Sequence, residues 1–555
     1  MRSIKTFFLS LLLFGVMGQA QAQTQTGDSL FSPPFDFPIV FSGNFGEIRA
    51  NHFHGGLDFK TGGTTGKPVH ALRNGYISRI RVTHGSGYVL NVTYDNGYTT
   101  ICRHLEAFMG DIARRVRDLQ YAQESWEVDI TPAPEEYPVC TGQVIAISGN
   151  TGYSFGPHLH LDVLRTQTEE YVDPMPFFRG KVKDHTPPRA LGFMLFPQAG
   201  KGVVCGKQER QSFPLRPSKP VTAWGEIGVG IRAYDHMEGA HNRYGVHTVI
   251  LEVDSQEVFR SIVDRFFYQE NRYINSWTQG QYMKSFIEPG NRLRMLHASN
   301  GNRGLVTIDQ ERSYRFVYTL EDAFGNRSQV SFTIHGKRMD IPQVDHREKY
   351  IFRWNQANYL QEPGLSLLLP RGVLYDDVYL NYQMKGETDG ISYTYQLHDE
   401  RVALHKPCGM RIGLRHRPVA DSTKYYVARL NSRGRKVCVG GFYRKGWMEV
   451  RIGELGTYTV AVDTVPPVLT PVNPASWGRR GRIVFRARDK ETGIRSYRGT
   501  IDGQYALFGK PNSINGNLVC VLDPERVKRG QKHLLELTVT DGCGNQTTVR
   551  REFVW

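Results

Sequence analysis

Two similar proline-rich segments divide this 555-residue chain into modules. They read KDHTPPRALGF at 183–193 and VDTVPPVLTPV at 462–472. Because proline fixes its own φ and donates no backbone hydrogen bond, each segment is typical of an extended linker rather than of a central strand. A chain of this length also exceeds what one hydrophobic core holds. We therefore expect several domains joined at these linkers.

The sequences that follow the two linkers resemble each other. In both, an alternating strand ends at an aspartate, Asp235 or Asp489, and a final hairpin turns on a Gly-Asn pair, at 322–326 or 541–545. Glycine and asparagine tolerate the positive φ that such turns need. The repeated unit resembles the immunoglobulin-like and fibronectin-like sandwich domains of bacterial surface proteins.

Composition favours strands throughout. The chain has 57 glycines and 28 prolines, which suit short strands joined by turns better than long helices. We predict a mainly β protein in which an N-terminal domain, 23–183, precedes three β-sandwich modules. Two of these, 184–338 and 463–555, are predicted to be immunoglobulin-like, and the third, 339–462, is a β-sandwich of uncertain type.

The first 22 residues, MRSIKTFFLSLLLFGVMGQAQA, predict a cleaved secretory signal peptide, 1–22. A basic start is followed by an apolar run and a small-x-small ending. The run is shorter than the roughly 20 apolar residues that span a bilayer, and no later segment approaches that length. We expect no transmembrane anchor, and an exported protein located in the periplasm, the cell envelope or the extracellular medium.

The formal net charge of +15 raises the question of an anionic partner. The basic residues are scattered and lack zinc-finger, homeodomain or RNA-recognition spacing, so we expect no nucleic-acid partner. Solubility, or attraction to anionic wall polymer or membrane headgroups, is the expected use of this charge.

Seven cysteines are too few to form the main scaffold of an exported chain this long. Local bridges and reduced core cysteines both fit the spacing, and the odd number leaves at least one cysteine unpaired. The pairs close enough in sequence for a local bridge are Cys102 with Cys140, Cys408 with Cys438, and Cys520 with Cys543.

The stretch GPHLHLDV places two histidines on one predicted strand. Because side chains alternate faces along a strand, His158 and His160 point to the same side while the intervening leucines pack on the other. This pattern fits either a metal site at the mouth of a sheet or structural packing. Asp162 either orients a ligand histidine through a hydrogen bond or is a surface carboxylate at a strand end.

A second cluster, in NHFHGGLDFKT, pairs His54 with Asp58. Imidazole and carboxylate are ligand types of catalytic zinc sites, which take three protein ligands and keep a fourth position open. His54, Asp58 and one histidine of the His-x-His pair make that set. The adjacent Gly55 and Gly56 are expected to let the backbone turn closely around the ion.

A further histidine, His104, is predicted at the end of an alternating strand over 89–101 and just before a helix within 104–124. With one histidine of the pair on zinc, the other and His104 are left to take a proton from water or to donate a hydrogen bond to an oxyanion. The apolar face of the predicted helix consists of Leu105, Phe108, Ile112, Val116 and Leu119.

Four segments, in this order, resemble the lysostaphin and LytM-type zinc metallopeptidases that cut peptidoglycan peptides: FGEIRANHFHGGLDF, YTTICRHLEAF, VCTGQVIAISGNTG and GPHLHLDV. The resemblance covers about residues 36–180. It implies a domain of the duplicated hybrid motif type, dominated by an antiparallel β-sheet, with the substrate peptide in a groove over the sheet. The stretch 105–138 is longer than in compact members, and its helix is expected to cap or narrow the groove.

The same resemblance assigns roles to five residues. It implies one zinc per chain, held by His54, Asp58 and His160, with His104 and His158 as the catalytic histidines. The expected function is an exported zinc metalloendopeptidase that hydrolyses peptide cross-links of bacterial peptidoglycan. Its β modules would place it on the wall or on an envelope protein partner.

Two other functions fit the same sequence. One is a non-catalytic LytM-like regulator that binds the wall or a wall amidase, although such proteins typically lose zinc ligands and this chain keeps them. The other is an adhesion or scaffolding protein that acts through its β modules, which occupy about two-thirds of the chain.

Overall fold

A computed structural model of the chain describes residues 30–344, 347–386, 388 and 390–555. The predicted signal peptide, 1–22, lies outside these residues. The prediction of a mainly β protein is confirmed, since strands make up most of the regular structure. No helix within the described ranges has both the length and the apolar content to cross a membrane.

The N-terminal domain is built on one antiparallel sheet. Its elements are β1 (Phe41–Gly43), β2 (Ile48–Arg49), β3 (His52–Phe53), β4 (Gly56–Lys60), β5 (Pro68–His70), β6 (Gly75–Thr83), β7 (Gly87–Tyr94), β8 (Tyr98–Phe108), α1 (Gly110–Ala122), β9 (Val128–Ile130), β10 (Pro138–Val139), β11 (Val144–Ser148), β12 (His158–Arg165) and β13 (Tyr171–Val172). The main path of the sheet runs β1-β4-β12-β8-β7-β6-β10. Leu159, Leu161 and Val163 of β12 are fully buried in the core of this domain, so its histidines lie on the other face.

Apart from β19 (Arg265–Phe266), the strands of the next module form a single hydrogen-bonded network, and Phe45 and Phe53 of the N-terminal domain contribute to its core. Its elements are β14 (Arg189–Val204), β15 (Gln211–Pro214), β16 (Val221–Tyr234), β17 (Thr248–Val253), β18 (Gln256–Ile262), β19 (Arg265–Phe266), α2 (Ile274–Trp277), β20 (Thr278–Gln279), β21 (Tyr282–Lys284), β22 (Leu296–Ala298), β23 (Val306–Ile308), β24 (Ser313–Glu321) and β25 (Arg327–Gly336). The long strands β14 and β16 pair along most of their length. The hairpin predicted at 322–326 connects β24 to β25.

The third module contains two five-stranded sheets. Its strands are β26 (Ile351–Phe352), β27 (Asn358–Glu362), β28 (Leu365–Leu369), β29 (Val378–Tyr379), β30 (Gln383–Lys385), β31 (Thr394–Gln396), β32 (Val402–Gly413), β33 (Tyr425–Leu430), β34 (Lys436–Gly440), β35 (Phe442–Arg444), β36 (Trp447–Leu455) and β37 (Thr457–Val462). A separate core cluster fills the space between the sheets.

The C-terminal module contains two four-stranded sheets and the hairpin predicted at 541–545. Its elements are β38 (Val468–Pro471), α3 (Trp477–Arg480), β39 (Arg482–Arg488), β40 (Ile494–Ile501), β41 (Gln504–Ala506), β42 (Phe508–Gly509), β43 (Asn517–Val521), β44 (Lys532–Asp541) and β45 (Gln546–Val554). Short 3-10 helices elsewhere in the chain are Met175–Phe178, Tyr268–Tyr273, Ser422–Lys424 and Pro474–Ser476.

The first module after the linker extends the N-terminal sheet. β13 pairs with β19, and Tyr171 lies opposite Phe266. The Phe266 ring also contacts Phe53, at 5.4 Å between ring centroids. Arg294 forms an ion pair with Glu170 at 2.8 Å. Backbone pairing, ring packing and charge therefore all hold this module against the N-terminal domain.

The C-terminal module packs against α1 and the segment after it. Arg526 stacks over the Tyr121 ring at 3.8 Å, and a Cβ on Gly509 would lie 2.2 Å from the Trp126 ring. Arg498 forms an ion pair with Glu124 at 2.6 Å. The helix that was expected to cap or narrow the groove thus contacts the C-terminal module along this side.

The local prediction for 89–124 is wrong in two places. The single strand expected over 89–101 is a hairpin, because β7 ends at Tyr94 and β8 begins at Tyr98 after an Asp-Asn-Gly turn. The expected helix begins only at Gly110, and Leu105 and Phe108 belong to β8. Pairing of these two residues with β11 outweighs their helical spacing.

The seven cysteines all lie in the described part of the chain, and none forms a disulfide bridge there. None of the three local pairs that the spacing allowed is therefore bridged. Four of the seven, Cys102, Cys408, Cys520 and Cys543, are buried as reduced core residues.

Gly56 marks the closest approach of β4 to β12. A Cβ on Gly56 would lie 2.1 Å from the carbonyl oxygen of Leu161. The expected turn is wrong for Gly56, which lies within β4, and neither Gly55 nor Gly56 has a positive φ. Close packing of two backbones, and not a turn, requires glycine at Gly56.

We predict that Gly56→Ala lowers the free energy of unfolding of the N-terminal domain by about 3 kcal/mol, because β4 and β12 must separate. Calorimetry of the mature chain measures this as a lower Tm. The matched control is Gly85→Ala, an exposed site where an added Cβ meets nothing within 4 Å. Equal Tm values for the two variants would contradict this strand packing.

Candidate metal centre

Strand register places a histidine and an aspartate side by side on the open face of the N-terminal sheet. β12 lies between β4 and β8. His160 of β12 is directly opposite Asp58 of β4 on one side and Arg103 of β8 on the other. His54 immediately precedes β4 and is buried. The pairing therefore assembles the site from three separate parts of the chain.

The three predicted zinc ligands form a compact triangle. His54 Nε2 lies 3.0 Å from Asp58 Oδ1 and 3.0 Å from His160 Nδ1. His160 Nδ1 lies 2.9 Å from Asp58 Oδ1. A tetrahedral zinc ion with bonds of about 2.0–2.1 Å spaces its ligand atoms about 3.3 Å apart. These residues therefore fit one zinc ion after a small outward shift.

Hydrogen bonds on the outer side of each ligand imidazole direct its inner nitrogen into the triangle. The Nδ1–H of His54 donates to the Asn44 carbonyl oxygen at 2.7 Å. The Nε2–H of His160 donates to Asp162 Oδ1 at 2.6 Å, and Arg103 Nε donates to Asp162 Oδ2 at 2.7 Å. Because these oxygens only accept, the outer ring nitrogens carry the protons and the inner ones can bind a metal.

Burial and charge oppose each other in the triangle. Burial raises the pKa of Asp58, but the positive charge of His54 and hydrogen bonds from both histidines outweigh it and hold that pKa well below its usual range. Burial lowers the pKa of His160, but the charge of Asp162 and the hydrogen bonds to Asp162 and Asp58 raise it to about 9. Without metal at pH 7, a second proton therefore occupies the inner nitrogen of His160.

The two predicted catalytic histidines border the triangle. The rings of His104 and His158 are 4.9 Å apart between centroids, and His158 Nε2 is 3.5 Å from Asp58 Oδ1. The Nδ1–H of His104 donates to the Thr151 carbonyl at 2.8 Å, and that of His158 donates to the Gly156 carbonyl at 2.8 Å. Nε2 is therefore the basic nitrogen of each ring.

Both bordering histidines are neutral at pH 7. Burial, reinforced by the charges of His160 and His158, lowers the pKa of His104 to about 3. Burial also lowers the pKa of His158. His104 has a φ of 61°, a left-handed conformation that is rare for a residue other than glycine. Such strain persists only where the surrounding structure fixes the backbone.

The C-terminal module contacts the loop 149–156, whose backbone carbonyls anchor these two histidines. Asn512 Nδ2 donates to the carbonyl oxygens of Asn150 and Ser154, at 2.9 and 3.0 Å. The Gly152 amide donates to the Pro511 carbonyl at 2.7 Å. Sequence reasoning missed this contact, because no local pattern indicates a partner about 360 residues away.

Two residues around the triangle also went unassigned from the sequence alone. Neither Asn44 nor Arg103 was predicted to support the metal ligands. Asp162 had two open interpretations, and the structure places it at 1% exposure between His160 and Arg103. The period-two alternation of β12 already put Asp162 on the face of the two histidines, which was the one signal for its role.

Comparisons with known proteins give matches of limited extent. A family model described as a Zu5-like domain matches residues 349–463, which covers most of the module predicted as a β-sandwich of uncertain type and one residue beyond it. Among solved structures, the chain is similar to the catalytic domain of the antimicrobial peptidase lysostaphin from Staphylococcus simulans. The identity is 25%, the match covers 25% of this chain and 90% of that chain, and the TM-score is 0.19.

A zinc containing peptidase from Vibrio cholerae is similar at 26% identity, over 26% of this chain and 38% of that chain, with a TM-score of 0.19. Both matches cover only about a quarter of this chain. Both TM-scores are far below 0.5, so neither match bears on the chemistry of the site.

We predict that Asp162→Asn weakens zinc binding by about 10-fold to 100-fold, because the neutral amide no longer balances Arg103 or fixes the His160 ring. Competition with a chromogenic chelator measures the affinity. Asp118→Asn, at a carboxylate that is 59% exposed on α1, is the matched control and should bind zinc as the parent does. Equal affinity in both variants would exclude a supporting role for Asp162.

We also predict that zinc affinity rises with pH. Since the raised pKa of His160 keeps a proton on its inner nitrogen below about pH 9, zinc must displace that proton. Apparent affinity should increase about tenfold per pH unit between pH 6 and 8. Calorimetry in buffers of different ionisation enthalpy measures the released proton. A pH-independent affinity over this range would contradict the proposed ligand state.

Proposed function

We propose that this protein is an exported zinc metalloendopeptidase that hydrolyses an amide bond in the cross-link peptides of bacterial peptidoglycan. One observation carries the proposal: a triangle of two imidazoles and a carboxylate, sized for zinc, lies beside two anchored neutral histidines. The sequence resemblance over about residues 36–180 supplies the substrate class. We assign His54, Asp58 and His160 to the metal.

When bound, zinc supplies Lewis-acid polarisation of a carbonyl and of water. The chain itself supplies proton transfer beside it. Because fixed carbonyls hold the Nδ1–H groups of His104 and His158, the two rings keep one orientation and present unprotonated Nε2 atoms at neutral pH. Either nitrogen can take a proton from the attacking water and, once protonated, donate to the developing oxyanion.

An exposed aromatic pair projects from the loop beside His158. Tyr153 and Phe155 are 63% and 83% exposed, and their rings meet edge to face at 5.5 Å. We assign this pair to the wall of the substrate groove. Large exposed rings bind extended peptides with little loss of side-chain entropy, which suits this position.

The alternative functions do not require the metal ligands and the two bordering histidines to be intact. A non-catalytic regulator or a scaffold needs neither an intact metal triangle nor two histidines held in one tautomer. The β modules fit a further role in either case. We propose that they place the N-terminal domain on the wall or on an envelope protein, and that they bind no nucleic acid.

The central experiment incubates the mature chain with purified peptidoglycan, with and without a zinc chelator, and analyses soluble muropeptides by mass spectrometry. We expect chelator-sensitive loss of cross-linked dimers and about one zinc per chain. His54→Ala should lose both zinc and activity. His104→Ala should keep zinc and lose about 100-fold to 10,000-fold in rate, because a proton-transfer group is gone.

His52→Ala is the matched control, since the His52 ring is exposed and its Nδ1 lies 2.9 Å from the nearby Ala50 carbonyl oxygen. It should retain zinc and activity. Wall that is bound but left uncut by the zinc-loaded parent would favour the regulator. Cleavage by His160→Ala at the rate of the parent would overturn the assignment of the metal centre.

A further inference from the structure

Three buried aspartates meet in the module that follows the N-terminal domain. Asp184 lies in the linker, Asp235 directly follows β16, and Asp322 directly follows β24. One carboxylate oxygen from each lies within 4.8 Å of the other two. Their exposed fractions are 4%, 1% and 3% respectively. Three carboxylates have thus been brought from separate segments into one buried cluster.

The hydrogen bonds inside this module leave two of these oxygens without a partner. Both oxygens of Asp322 are engaged, Oδ1 by two backbone amides and Oδ2 by Asn326 Nδ2 at 2.7 Å. Asp184 Oδ1 also accepts from two backbone amides. Asp184 Oδ2 and Asp235 Oδ1 are buried and have no hydrogen-bond partner. Buried polar atoms are rarely left in this state unless something else binds them.

The electrostatics of the cluster also indicate that its carboxylates lack a partner. Burial, together with the negative charges of Asp322 and Asp184, raises the pKa of Asp235 to about 8. Burying a carboxylate is costly unless a cation or a metal compensates it. The two charged groups that act on Asp235 are both carboxylates, and a hydrogen bond from the His236 backbone opposes them.

We propose that Asp184, Asp235 and Asp322 bind a calcium ion. An all-oxygen set of carboxylates suits a hard divalent cation and not zinc or copper. Calcium holds its ligand oxygens at roughly 2.4 Å, so opposite ligands lie up to roughly 4.8 Å apart, which the observed spacing satisfies. Magnesium demands shorter bonds and near-ideal octahedral geometry, which a linker, a strand end and a turn do not readily provide.

The ion would fix the linker and the loop that begins at Asp235. That loop contacts Asn44, which orients a ligand of the zinc centre. Asn326 Nδ2 already donates to the backbone oxygen of Asp184 at 3.1 Å, so the hairpin turn and the linker are tied together. Further along the loop that begins at Asp235, Gly245 exchanges hydrogen bonds of 2.9 Å with the Asn44 side chain. Asn44 is the residue whose carbonyl orients His54. Calcium would therefore stiffen the junction between the two domains.

The C-terminal module repeats the cluster with a different hydrogen-bond pattern. Asp463, Asp489 and Asp541 occupy the corresponding positions, and Asn545 Nδ2 donates to the Asp463 backbone oxygen at 3.0 Å. Here, however, Thr492 Oγ1 donates to Asp463 Oδ2 at 2.7 Å. Within the described structure, no buried carboxylate oxygen of this second cluster lacks a partner. The proposal therefore concerns only the first cluster.

The test uses the mature chain, stripped with a chelator and reloaded with one equivalent of zinc so that the histidine centre is occupied. Calcium chloride is then titrated by calorimetry, with magnesium chloride as a parallel titrant. We expect the parent to bind calcium more tightly than magnesium, and Asp235→Asn to bind one calcium fewer than the parent. Asp340→Asn, at an exposed aspartate just beyond the end of the module, should bind calcium as the parent does.

Thermal unfolding separates loss of the site from loss of the fold. Calcium at one hundred times its Kd should raise the Tm of the parent module by about 5 °C and leave that of Asp235→Asn unchanged. In the absence of calcium at pH 7, Asp235→Asn should melt close to the parent, because the raised pKa keeps Asp235 protonated and an amide then replaces a neutral acid. Unchanged calcium stoichiometry in Asp235→Asn, no calcium binding by the parent, or magnesium binding as tight as calcium would overturn the proposal.

Discussion

The antiparallel pairing of β4 with β12 is the constraint on which the rest of the site depends. It sets His160 opposite Asp58, and the next pairing sets Arg103 on the other side of His160. A slip of one residue in β12 would turn His160 into the core and away from Asp58 and Arg103. Gly56 makes that register possible, because only a residue without a Cβ fits against the Leu161 carbonyl.

The chemistry of the site then follows from how each imidazole is held on its outer side. Asn44 and Asp162 fix the two ligand rings, and backbone carbonyls fix the two bordering rings. Burial keeps His104 and His158 neutral, while carboxylates keep a proton on His160. In the absence of metal the histidine cluster therefore contains two protonation states, and zinc binding must release the inner proton of His160.

The module after the first linker and the C-terminal module each contact residues that position this site. The module after the first linker bonds to Asn44, next to the ligand side. The C-terminal module bonds to the loop 149–156, next to the bordering histidines. The N-terminal domain is therefore supported by both neighbours. Long-range backbone contacts of this kind can influence ligand geometry without touching the substrate.

Local sequence patterns determined the mainly β class, the two repeated hairpins and the five histidine and aspartate candidates, because alternation and turn chemistry depend on near neighbours. The same patterns led to wrong predictions at 89–124. There the alternation of apolar and polar residues continued across a turn, and apolar residues at the end of β8 had the spacing of a helix. Only the tertiary structure decided which histidine faces which carboxylate, that Arg103 balances the charge of Asp162, and that Asn512 bonds to the loop 149–156. These features depend on strand register and domain packing, which bring together residues far apart in the chain and leave no periodic signal in the sequence.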